Sequence, residues 1–312
     1  MKSDLSRLAA HCIDSILAKV LNYPLEERRI HFHNDVVVGK FLLHRWGDFG
    51  WDSSFTFSAN KNEIVELVKD YVHPETGKTY NVDKLELKTD EGRGFGKAKF
   101  ILKEGGTLGD LYTHADLKRD INGNILIDDS GNVTAIDNAG DIKLGSVLPK
   151  ANLAWNNSFS YKGINAGFLL TARLGGIVYS ATQAYLDLYG VSETSAAARD
   201  AGGVWINGRS RVNPQSFYEV VASQSGLPTY YTYSATNLRL QEAHIGYTVP
   251  RRWLGNVCDI NVSLVGRNLW MIYCKAPFDP EAVATTNNYY QGIDYFMMPS
   301  TRNIGFNIKI NF

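Results

Sequence analysis

The chain of 312 residues contains no run of about 18 apolar residues, although 44% of it is hydrophobic. A membrane-crossing helix is thereby excluded. A membrane-crossing strand is not, because such strands hide their apolarity in alternation. Charge of one sign is lacking too: 32 basic and 32 acidic residues leave a formal net charge of zero. That balance argues against a nucleic-acid binder, which needs a basic surplus on some face. Three cysteines, Cys12, Cys258 and Cys274, cannot make a paired framework. Cys258 and Cys274 fall near opposite ends of one expected strand, too far apart to bridge.

The residue sets of common chemistries are also missing. No nucleophile elbow marks a Ser, His and acid set. Asp128-Asp129 sits in turn-like sequence without the apolar surroundings that separate two carboxyl pKa values. His31-x-His33 has no third ligand spaced to complete a metal site. "DINGNILIDDSGN", Asp120 to Asn132, places Ile125 and Gly131 where an EF-hand needs Gly and Glu. It reads as Asn/Asp-Gly turns, with a calcium loop of another type as the alternative. "GRGFG", Gly92 to Gly96, lacks the strand-to-helix setting of a phosphate cradle and reads as a loop. The expectation is a protein that is not an enzyme and uses no cofactor or metal.

What is present is aromatic and turn-rich: 17 Tyr, 14 Phe, 6 Trp and 28 Gly. Residues 1–35 stand apart, because Leu5, Leu8, Cys12, Ile16 and Val20 recur at helical spacing in a segment that ends before Pro24. His11, Asp14 and Lys19 break its apolar face, so it does not read as a signal peptide. From Val36 the texture is that of strands. Trp51, Phe55 and Phe57 alternate with Asp52, Ser54, Thr56 and Ser58. Leu153, Trp155, Phe159 and Tyr161 alternate with amides and serines, and Lys162-Gly163 then makes a tight turn into Ile164–Leu174. Ala243–Val249 and Cys258–Leu264 repeat the pattern. The last eleven residues do so most regularly, with Ile304, Phe306, Ile308, Ile310 and Phe312 on one side.

Alternation alone does not separate a sandwich from a barrel. Loop asymmetry does better. Connections after Tyr161 and Val249 are short, and Gly47 to Gly50 makes a third short turn. Those after Leu174 and Trp270 run to about 60 and 30 residues. Short turns at one end and long loops at the other are the layout of outer-membrane barrels, with the long loops extracellular. At about ten residues per strand, 8 to 12 strands are expected. The alternative is a soluble or surface β-sandwich that binds carbohydrate through its aromatic loops. Tyr179, Tyr185, Tyr189, Tyr230, Tyr231, Tyr233, Tyr289 and Tyr290 could stack on sugar rings or hold peptides, or could pack the loops together.

The stretch from Leu264 to Phe312 closely resembles the carboxyl end of SusC/RagA-like TonB-dependent outer-membrane transporters. The match includes Gly266-Arg267-Asn268-Leu269-Trp270, Asp279-Pro280-Glu281, Gln291-Gly292-Ile293-Asp294-Tyr295, Pro299 and the closing aromatic. "FGWDSSFTFSANKNEIVEL", "EGGTLGDLY", "LPKANLAWNNSFSYKG", "RLGGIVYSATQAYLD" and "NLRLQEAHIGYTVPRRWL" extend it over residues 40 to 312. The resemblance implies an all-β fold, the later strands of a transmembrane barrel of about 22 antiparallel strands, occupying residues 36–312. It implies import of glycan or peptide across the outer membrane of a Gram-negative bacterium. It further implies a SusD-like surface lipoprotein over the mouth, energy from the TonB complex acting on a plug, and contact with outer-membrane lipid. Ile308, Ile310 and Phe312 would form the terminal signal read by the barrel-assembly machinery. No plug-like region is seen, so the expectation is a barrel portion produced by truncation, frameshift or cutting.

Overall fold

The computed structural model describes the backbone of residues 30–74, 76–87, 95–255, 257–284 and 291–311, with side chains from residue 47 onward. The expected helix over Leu5–Leu21, Cys12, the side chains of His31 and His33, Gly92–Gly94, Tyr289, Tyr290 and Phe312 lie outside those residues.

Seven long strands form one antiparallel sheet, here called the wall: β1 (Ile30–Trp46), β2 (Phe49–Ile64), β3 (Ala151–Tyr161), β4 (Ile164–Leu174), β5 (Asn237–Val249), β6 (Asp259–Cys274) and β7 (Asn303–Asn311). Each pairs with its neighbours in chain order, so the wall is an up-and-down meander. β1 begins at Ile30, ahead of the residue 36 at which strands were expected to start. β7 pairs with β6 from Asp259↔Asn311 to Arg267↔Asn303, as the terminal alternation predicts. The expected 8 to 12 wall strands reduce to these seven among the described residues. The other strands are short and belong to separate small sheets, because the connections are folded units in their own right.

Register carries the alternation across the whole wall. Phe55 opposes Trp155, Trp155 opposes Leu170, Ala166 opposes Ile245, Ile245 opposes Leu264, and Leu264 opposes Phe306. One face is therefore apolar. The other carries Ser54, Thr56, Ser58, Asn152, Asn156, Thr171, Arg173, His244, Asn261, Ser263 and Asn307. On the apolar face two polar residues, Ser53 and Asn157, oppose each other. They are covered by indoles: Trp51 Nε1 donates to Asn157 Oδ1 at 3.1 Å and Trp155 Nε1 to Ser53 Oγ at 3.0 Å.

The short connections all fall at one end of the wall. Lys162 and Gly163 both have positive φ (46° and 88°), the backbone of a two-residue hairpin whose twist matches its strands. A Cβ on Gly163 would also meet the Thr248 carbonyl at 2.9 Å. Residues 65–150, 175–236 and 275–302 connect strands at the other end, and the described residues among them fold into a cap.

The cap holds a four-stranded sheet, in order Ile142–Ser146, Asp110–Thr113, Ala98–Lys103 and Lys84–Glu86. A three-stranded sheet places Ile177–Ser180 between Thr232–Ser234 and Ile293–Asp294. Helices α1 (Ala181–Leu188), α2 (Glu193–Asp200) and α3 (Pro214–Val221) start at Ser180, Ser192 and Asn213, whose side chains accept from backbone N–H groups of the first turn. Pro214 at the first helical position suits α3, since its absent N–H would have been unpaired. The buried apolar cluster comprises cap residues such as Phe100, Leu111, Leu117, Val147, Tyr179, Val221, Leu227 and Ile293. Among the described side chains of the wall strands, only Ile64, the last residue of β2, belongs to it.

Two readings of motifs are borne out. In "DINGNILIDDSGN" the Asp120 carboxylate accepts from the amides of Asn122 and Asn124, and that of Asp128 from the amides of Ser130 and Asn132. These are two successive Asx turns closed by Gly123 and Gly131. Cys258 and Cys274 are free thiols at opposite ends of β6.

Candidate functional site

The polar face of the wall meets the cap at the ends of β4 and β5, and two arginines sit there on neighbouring strands. Arg239 is 4% exposed. Its Nη2 lies 2.7 Å from Asp279 Oδ1 and 3.2 Å from Glu281 Oε2, and its Nη1 donates to Asp279 Oδ2 at 3.2 Å. Asn237 Nδ2 donates to the other Glu281 oxygen at 3.2 Å. Burial raises the Asp279 pKa, but the Arg239 hydrogen bonds and the Glu281 amide outweigh it and hold the carboxyl below its ordinary value. The Asp279-Pro280-Glu281 motif is thus a clamp on Arg239 that ties the last long connection to β5.

Arg173 is treated differently. Its Nη2 donates to the carbonyl of Val147 at 2.8 Å; the Nε of each arginine is buried without a partner. Among the described residues no carboxylate forms an ion pair with it. Arg173 lines a cavity of about 410 Å³, together with Ser58, Asn152, Thr171 and Gln241 from the wall and Glu281 from the cap. The lining offers amides, hydroxyls, one cation and one carboxylate beside a few small apolar groups, which suits binding of a polar ligand. Among the described residues no group of three His, Cys, Asp or Glu could hold a metal ion.

The loop tyrosines divide. Tyr179 and Tyr231 are enclosed, with 0% and 2% exposure, so neither can present a ring to a ligand. Tyr179 donates to the Ser225 carbonyl at 2.5 Å and Tyr231 to Asp187 Oδ2 at 3.0 Å, and burial raises both pKa values. Tyr230 and Tyr233 are half-buried; Tyr230 packs edge-on to Phe217, and burial pushes the Tyr233 hydroxyl up to about 12. Tyr185 stays partly accessible beside Tyr295 and Phe296, at centroid distances of 6.3 and 5.4 Å. Tyr189 is exposed. Ile308 and Ile310 oppose Val262 and Ile260 on the apolar face of the wall.

Sequence reasoning missed Tyr295, Phe296 and the Arg239 clamp. Tyr295-Phe296-Met297-Met298 is an apolar run inside a loop, which was a visible signal. The Gln291-Gly292-Ile293-Asp294-Tyr295 motif has a structural role: Ile293 pairs in parallel with Tyr179, and Asp294 accepts from the Ser180 hydroxyl at 2.6 Å.

No protein-family model matches the chain. The TonB-dependent receptor P3 of Formosa agariphila is 25% identical over 289 residues, 84% of this chain and 27% of the relative. Receptor P26 of the same organism is 25% identical over 293 residues, 86% and 28% of the two chains. The solved RagAB peptide transporter superposes with a TM-score of 0.61 at 16% identity, over 91% of this chain and 29% of that one. The RagAB peptide importer in its closed-closed state gives 0.60, over 91% and 30%. The chain is thus similar in sequence to TonB-dependent receptors and shares its fold with part of the RagAB transporter structures. It spans under a third of the length of these relatives. The fold match makes the wall an antiparallel sheet of the β-barrel type in part, and its register sorts polar from apolar residues as the strands of such a barrel do.

Proposed function

We propose that the chain supplies wall and cap to a TonB-dependent importer of nutrients in the outer membrane, and that its polar face lines the path. The observation that carries this is the placement of apolar surface. Ile245, Leu264, Ile304 and Phe306 on the wall are exposed, while the enclosed apolar side chains, apart from Ile64 at the end of β2, sit in the cap. A β-sandwich would cover that face with a second sheet, and no such sheet lies over it among the described residues. Lipid is the solvent that makes the face favourable.

The cargo in this reading is a glycan or a peptide, and the RagAB likeness favours a peptide. A SusD-like lipoprotein covers the cap side, the TonB complex acts through a plug elsewhere in the whole receptor, and Ile308, Ile310 and Phe312 serve the barrel-assembly machinery. Tyr185, Tyr230, Tyr289 and Tyr290 are the loop aromatics that would touch cargo. Reconstitution in vesicles of mid-chain brominated lipid tests the reading. Trp155 on the apolar face should be quenched, so a Trp155→Phe variant should lose much of the quenching. A soluble monomer without detergent, or quenching unchanged by that substitution, would overturn it. In a strain carrying the whole receptor, accumulation of cargo should require TonB.

A further inference from the structure

Two arginines at the top of the polar face have opposite fates. Arg239 is met by two carboxylates and an amide, so its charge is neutralised within the protein. Arg173, on the adjacent strand, has one neutral acceptor in Val147 and no ion pair among the described residues; Glu281, already engaged by Arg239 and Asn237, acts on it only as a more distant charge. A half-buried guanidinium that forms no ion pair is only partly compensated by a distant, already engaged carboxylate, so its free donors on the cavity wall can take an acceptor from outside.

We infer that the cavity beneath the cap binds a carboxylate group of the cargo, with Arg173 as its counter-charge. This deepens the import reading and rests on it. A carboxylate fits because a guanidinium presents paired N–H donors that match its two oxygens. The rest of the lining is suited to the neighbouring part of such a ligand. Thr171, Ser58, Asn152 and Gln241 can donate or accept, and Glu281, held by Arg239 and Asn237, can accept an N–H or hydroxyl. At about 410 Å³ the cavity lies within the usual range for small-ligand sites. A peptide terminus and a uronic acid both carry this chemistry.

The chain folded in detergent micelles can be titrated calorimetrically with four probes: tetraalanine, tetraalanine amide, tetragalacturonate and its methyl ester. One acid should bind at least tenfold more tightly than its neutral counterpart, and which acid does so identifies the source. Arg173→Gln should abolish that preference, and Arg173→Lys should retain part of it. Because Arg173 also tethers Val147, Gln241→Glu provides a second variant that leaves the tether intact. It should weaken the acid and spare the neutral probe. Neutral probes binding as well as acids, no acid binding, or a preference surviving both Arg173→Gln and Gln241→Glu would overturn the inference. Brominated-lipid quenching of the same samples reports the wall separately, so loss of the site with quenching intact leaves the import reading standing.

Discussion

Leu111, Leu227 and Ile293 in the cap are wholly enclosed, whereas Ile304 and Phe306 on β7 are 73% and 78% exposed. Residues of one chemical kind thus meet two different surroundings within one chain. The cap obeys the rule for water: its apolar side chains converge, its helices are capped, and its buried polar groups such as Asp187 and Ser180 are hydrogen-bonded. The wall does not: its apolar residues lie exposed on one face and its polar ones gather on the other. Burial therefore measures stability in the cap, and solvent identity measures it in the wall.

The sharpest test lies where the two regions join. Arg239→Ala should cost about 3–5 kcal/mol, since it leaves Asp279 and Glu281 without their cation. Urea unfolding of the vesicle-bound chain would read this, and a loss below about 1 kcal/mol would show that the clamp does not couple cap to wall. The same clamp has a pH signature. Asp279 titrates below its ordinary value of 3.8, so its contribution is present above that value and is lost as pH falls through its folded pKa. Acid should loosen the native junction, and Arg239→Ala should flatten that dependence.

Within the cap, Leu111→Ala should cost about 2–5 kcal/mol through lost transfer energy and an unfilled cavity. Phe306→Ala should cost much less, because its ring has few protein neighbours to abandon. Equal losses would erase the distinction between the regions. On the wall, Leu264→Arg should cost about 2–4 kcal/mol in a bilayer, and Ser263→Arg, on the opposite face, close to nothing. Equal tolerance at 263 and 264 would count against lipid on the apolar face. The smallest expected effect is Asn213→Ala, which removes the α3 cap for about 1 kcal/mol and should leave wall insertion unchanged on a heat-modifiability gel.

Much of the wall was legible because period two is a local signal: Lys162-Gly163, the alternation of Asn303–Asn311 and the unequal connections each sit within a short stretch. The cap was not, for the opposite reason. Tyr179 is enclosed through Ser225 and Ile293, and Tyr231 through Asp187, all distant in sequence, so residue type alone could not separate a packing tyrosine from a binding one. The site fell between these cases. Arg173 was visible as a charge on a polar strand face, but its contrast with Arg239 depends on Asp279 and Glu281 from another connection.

The crossed indoles over Ser53 and Asn157 act as a key between β2 and β3. Sliding one strand by two residues would keep every side chain on its proper face, so inside–outside sorting does not by itself forbid it. Such a slide would pull Trp51 away from Asn157 and Trp155 away from Ser53 at once, stranding two donors and two acceptors. In hydrocarbon each stranded group costs several kcal/mol. The polar pair on the apolar face therefore selects one alignment of the two strands from among those that alternation would tolerate.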